Sequence, residues 1–181
     1  EAVKAVNHAA ELLSKLGHQV EAAEPMIDPD ALANSFLHLY FEHVSATLAR
    51  AKAFGAKDHE FELLTRAIAA LGRGINADTS TNHRLQRNAF SQSLASFHQQ
   101  YELFLTPTVA HPAITHEQGE LPGWQGAILS GLLNTGLLAV LARLGLMDGA
   151  IRHIARDNLT YVPFTQLANL TGTPAMSVPL H

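Results

Sequence analysis

The chain has 181 residues, with 12 Lys and Arg against 16 Asp and Glu, a formal charge of -4. Hydrophobic residues make up 47% and charged residues only 15%, against roughly 25% charged in an average soluble domain. An apolar half with few charges excludes a disordered chain, and the lack of basic excess argues against nucleic acid as a partner. No cysteine is present, which removes disulfides, thiolate metal sites and cysteine nucleophiles, and fits a reducing, cytoplasmic setting. The 11 histidines are unusual: adding their charges to -4 gives +7 in acid, so surface sign depends on pH.

From the first residue, Val3, Val6, Ala10, Leu13 and Leu16 mark one helical face, and Gly17 closes it. No capping side chain precedes this helix, and no signal-peptide pattern is visible. Residues 19–22 read as a strand ended by Pro25. Asp28-Pro29-Asp30 is a helix start: a capping acid, then a proline where a missing N–H costs nothing. Leu32, Phe36, Leu39, Val44 and Leu48 carry that helix to Ala53, and Gly55 breaks it.

Phe61, Leu64, Ile68, Leu71 and Ile75 predict a third, amphipathic helix, with Gly72 and Gly74 fraying its end. Asp78 to Thr81 supply caps for a fourth, over 82–101. Leu103-Phe104-Leu105 reads as a buried strand ended by Thr106-Pro107-Thr108, and a loop rich in Pro and Gly follows to residue 126. Residues 121–142 contain no charged side chain. Their apolar residues fall on all sides, which predicts a buried or partner-covered helix and disfavours membrane contact. A helix over 148–158, a short helix over 164–170 and a strand over 175–178 complete the reading. Three strands separated by helices predict an α/β chain, a partial α/β/α sandwich with a mixed sheet whose strands need partners elsewhere. The uncapped first helix and the strand that ends the chain add the expectation that 1–181 is one segment of a larger domain. Within it, 1–25 form a helix–strand unit, 26–101 a helical layer, and 102–181 the remainder.

Self-contained chemistry is scarce. None of the nine serines lies in Gly-x-Ser-x-Gly, no two are adjacent, and no Ser-x-x-Lys pair exists. His38 and His43 point about 140° apart on a helix, and His38 with Glu42, like His153 with Asp157, reads as a surface hydrogen bond rather than a metal pair. His111 and His116 sit in the long loop. No metal site is expected. Two polar knots on apolar ground remain, Thr106-Pro107-Thr108 and Asn169-Leu170-Thr171-Gly172. Each fits turn chemistry or a ligand site about equally.

At these knots the sequence resembles the amidase signature family. Tyr101 to Thr108 with Ala110 and Pro112-Ala113 is similar to its D-x-L-L-T-P-T-x-x-x-P-A stretch, with Glu102 where the family carries Asp. Phe164-Thr165 and Asn169 to Pro179 are similar to F-T-x-x-x-N-x-T-G-x-P-A-x-S-V-P, and the ending looks most like the cyclic-amide hydrolase group. Ala9-Ala10, Leu12-Leu13, Leu16-Gly17-His18, Val20-Glu21 and Pro25 resemble the unit after the catalytic half. The resemblance implies hydrolysis of small-molecule amides by a Ser–cis-Ser–Lys triad that needs no metal or organic cofactor. No triad residue can be placed in this chain, so the chain alone is expected to be inactive. The same resemblance places Thr106, Thr108, Thr165 and Asn169 at the substrate cleft, and leaves 121–142 as a pocket cap or homodimer contact. The rival readings are a non-catalytic helical binding or oligomerisation module with an apolar groove, and a peripheral membrane protein.

Overall fold

The computed structural model describes residues 1–111, 123–149, 151, 159 and 161–178. Seven α-helices lie among them: α1 (Ala2–Lys15), α2 (Pro29–Ala53), α3 (Leu63–Gly74), α4 (Ala77–Phe97), α5 (Gly123–Asn134), α6 (Leu137–Arg143) and α7 (Thr165–Thr171). A short 3-10 turn, Asp58–Glu60, precedes α3.

Local chemistry sets these bounds. Asp28 caps α2 by accepting the Asp30 N–H at 3.0 Å, and Pro29 occupies the first turn. The left-handed glycines Gly17, Gly55 and Gly172 end α1, α2 and α7. Helix α4 begins earlier than 82, because Asn76 rather than Asp78 is its cap, accepting the Thr79 N–H at 2.8 Å. It also ends at Phe97, short of Tyr101.

Helix α2 is the axis of the fold. One apolar cluster joins its Leu37 and Phe41 to Ala67, Ala70 and Leu71 of α3, Leu138 of α6 and Ile151. A second joins its Leu32 to Phe90 and Leu94 of α4 and to Leu167 and Leu170 of α7. Phe36 packs against both clusters. A helix that buries two faces shows a blurred amphipathic stripe, which is why the sequence of α2 is less cleanly periodic than that of α3.

Gly72 and Gly74 do not fray α3; both are buried contact points. A Cβ on Gly72 would lie 2.1 Å from the Phe41 carbonyl oxygen, and one on Gly74 2.4 Å from the Ala142 Cβ. The absence of side chains lets α3 lie directly on α2 and α6.

The expected α/β class is overturned: the described residues are helix-rich and contain no strand and no sheet. Segments 19–22, 103–106 and 175–178 are irregular. Leu103 and Leu105 are exposed where a buried strand was expected, and Phe104 rests edge-on against Phe97 at 5.2 Å. An extended segment becomes a strand only by exchanging backbone hydrogen bonds with a neighbour. Pro25, Pro107 and Pro174 remove donors at the borders of these segments. Short apolar runs do not by themselves distinguish a strand from other buried or covered backbone.

The uncharged stretch also differs from expectation. Over its described part it is two helices, bent by 81° where Thr135 and Gly136 interrupt them. No residue of α5 is buried, and α6 buries only Leu138. Trp124, Ile128, Leu137, Val140 and Leu144 are exposed. Neither helix alone is long and apolar enough to cross a membrane. The 148–158 helix and the pair His153–Asp157 fall largely or wholly outside the described residues, as does His116.

Candidate functional site

Three polar features surround α2, α4 and the segments carrying the family-like motifs. The first is a buried seam between α2 and α4. Ser35 is 0% exposed, His38 6% and His83 7%. The Ser35 hydroxyl donates to Gln86 Oε1 at 2.6 Å, and His83 Nδ1 lies 3.1 Å from both Ser35 Oγ and Gln86 Oε1. Since the hydroxyl's single proton goes to Gln86, an Nδ1–H tautomer of His83 satisfies the triangle. The His38 ring stacks on His83 with centroids 4.2 Å apart, and its Nδ1 lies 2.9 Å from the Asn34 carbonyl oxygen. Burial, then the neighbouring His38, holds His83 below its ordinary value. A Ser–His contact invites a nucleophilic reading, but a hydroxyl with no exposed surface cannot meet a substrate. The seam is an internal polar lock.

The second feature is a cleft of about 400 Å³ where α2, α4 and α7 meet. Leu39, Ala46 and Leu170 give it an aliphatic floor, and Glu42, His43, Arg84, Arg87 and Asn169 give it a polar rim. Arg84 donates to Glu42 at 3.2 Å and to Ser80 at 3.3 Å. His38 and Glu42, expected to pair on the helix surface, therefore part company: the imidazole is buried in the seam and the carboxylate turns to Arg84.

The third feature joins the two motif blocks. Thr108 Oγ1 and Ser177 Oγ are 3.2 Å apart across 69 residues of sequence. The Ala110 N–H donates to the Tyr161 carbonyl at 2.9 Å, and His111 meets the Tyr161 ring edge-on at 5.4 Å. Within the second block, the Thr171 hydroxyl donates to the Leu167 carbonyl and lies 3.0 Å from Thr173 Oγ1.

The expected site residues thus divide. Thr108 joins the segment holding Ser177, while Asn169 stands at the cleft. Thr165 begins α7, one turn before Asn169 and on the same side of that helix. Thr106 is half-buried. Among the described residues no hydrogen bond joins Thr106 or Thr165 to the other two. Sequence reading missed Ser35, His83, Arg84 and Arg87 as members of shared sites. Each lies on a predicted helix, but which helix face meets a neighbour is decided by how whole helices pack, not by local periodicity.

No family model matches this chain, and no solved structure matches it. Two curated proteins do. Lipoamidase of Enterococcus faecalis is 28% identical over 189 aligned residues, covering 100% of this chain and 24% of that protein. A protein of Mycobacterium leprae that carries the amidase name AmiC is 32% identical over 181 aligned residues, covering 95% of this chain and 31% of its own length. The chain therefore spans 24% and 31% of the length of these relatives. Low-identity similarity along nearly the whole chain, to two proteins both named as amidases, points to an amidase family.

Proposed function

We propose that this chain is part of a longer amidase that hydrolyses small-molecule amides through a Ser–cis-Ser–Lys acyl-enzyme. The observation that carries the reading is similarity to two amidase-named proteins over 95–100% of the chain. The hydrogen bond between Thr108 and Ser177 supports it, because it draws together two separate blocks that resemble the amidase signature.

In this reading the chain supplies a wall of the acyl pocket rather than the nucleophile. Elsewhere in the protein a lysine takes a proton through a bridging serine. A second serine attacks the amide carbonyl, the amine leaves with a proton, and water releases the acid. Thr106, Thr108, Thr165 and Asn169 belong to the wall or its support. The exposed apolar face of α5 and α6 is covered by the rest of the enzyme or by a second subunit.

The test is direct. The full reading frame and residues 1–181 alone are assayed on a panel of simple amides. Turnover by the full protein, lost when its nucleophilic serine becomes alanine and absent from the 181-residue chain, is the expected result. Turnover by the isolated chain that survives Ser177→Ala would overturn it.

A further inference from the structure

The cleft between α2, α4 and α7 has an electrostatic asymmetry that its turn-forming neighbours do not explain. Its rim holds two guanidiniums and one carboxylate. Glu42 is committed to Arg84. Arg87 has no acidic partner and no side-chain hydrogen bond among the described residues. One uncompensated positive charge therefore faces a concave space, beside the His43 ring and the Asn169 amide.

We propose that this cleft binds a small monocarboxylate carrying a short aliphatic stem. The carboxylate takes the Arg87 fork in a bidentate, charge-assisted pair, the strongest geometry open to an exposed arginine. Asn169 donates its amide N–H to the same oxygens, and the His43 ring adds a further polar contact. The stem lies on Leu39, Ala46 and Leu170, where its burial adds to affinity. The single excess charge matches a monoanion. The aliphatic floor favours a carboxylate with a hydrocarbon tail over bare phosphate, which has nothing to place there. The three helices that build the cleft share the apolar cluster of Leu32, Phe90, Leu94, Leu167 and Leu170, so its walls are held in place without a ligand. The proposal rests on the charges and shape of the cleft and does not require the amidase reading, although Asn169 belongs also to the pocket wall proposed above.

Hexanoate serves as the probe, titrated into the 181-residue protein by calorimetry and by the NMR signals of the His43 ring. Hexan-1-ol and inorganic phosphate are run in parallel. Hexanoate is expected to saturate one site while hexan-1-ol does not bind. Arg87→Ala should weaken hexanoate binding by roughly tenfold, the scale of one lost charge-assisted hydrogen-bond pair. Glu42→Gln should tighten it, because Arg84 is then released to the ligand. Arg87 is exposed and Glu42 half-buried, and circular dichroism checks that the helices persist in both variants. Absence of saturable hexanoate binding overturns the proposal. So does binding that Arg87→Ala leaves unchanged, and so does phosphate binding as tightly as hexanoate.

Discussion

The imidazoles of His38 and His83 stack face to face, 4.2 Å apart and 25° from parallel, inside the seam between α2 and α4. The charged groups around them are few. Glu42 lies one turn on from His38 along α2 and is paired with Arg84 of α4, while the charge of Asp148, beyond α6, also acts on His83. Burial and the neighbouring His38 disfavour a proton on His83 more than the Gln86 hydrogen bond, Glu42 and Asp148 favour it.

This arrangement makes stability depend on pH in one direction. The folded His83 titrates below the ordinary value of 6.5, so the unfolded chain takes up the proton first. Stability is full above pH 6.5 and falls as pH drops from there toward the lower folded value, below which the loss levels off. Melting temperature measured from pH 8 to pH 5 should decline below pH 6.5. His83→Asn keeps a polar atom toward Ser35 but cannot titrate, and its decline should be shallower. Equal slopes for the two proteins would refute the assignment.

Ser35 is the hinge of the same lock. Ser35→Ala removes the hydroxyl that donates to Gln86 and accepts from His83. A buried polar group left without its partner costs about 1–3 kcal/mol. At this chain length that corresponds to a melting point lower by roughly 2–12 °C. Ser91→Ala, which removes only an exposed hydroxyl bonded to the Arg87 carbonyl of its own helix, is the control and should change little. Urea unfolding of both variants measures the difference.

Gly72 tests the close approach of α3 to α2. A new Cβ would meet the Phe41 carbonyl oxygen at 2.1 Å, and backbone cannot step aside as a flexible side chain can. Gly72→Ala should therefore destabilise the fold by about 1–3 kcal/mol, the usual scale of overpacking, despite alanine's better helix propensity. Gly131→Ala is the contrast. That position lies within α5 with open space around it, and the substitution should be neutral or mildly stabilising. Chemical denaturation of the pair separates propensity from packing.

The Thr108–Ser177 contact predicts energetic coupling between two blocks far apart in sequence. Both residues are exposed, so the coupling should be small, about 0.5–1 kcal/mol. A double-mutant cycle of Thr108→Val and Ser177→Ala, read by denaturant unfolding, measures it. Strict additivity would show that the two hydroxyls do not act as a pair.

The sequence alone determined most of the helices. Asp28-Pro29 set the start of α2, Gly17 and Gly55 ended α1 and α2, and the apolar stripe from Leu64 to Leu71 marked α3. These are local effects: capping, fixed φ angles and the 3.6-residue period act over a few residues. The two motif blocks and their amidase likeness were legible too, as residue identities in order. Only the tertiary structure decided the rest. Whether residues 103–106 and 175–178 become strands depends on backbone partners, which no short segment encodes for itself. That Gly72 is a packing contact, that His38 turns inward to His83 while Glu42 turns outward to Arg84, and that Arg87 and Asn169 share a cleft all depend on where α3, α4 and α7 cross α2. Crossing is set by the fit of whole helix faces, and buried side chains take their roles from the neighbours that fit brings.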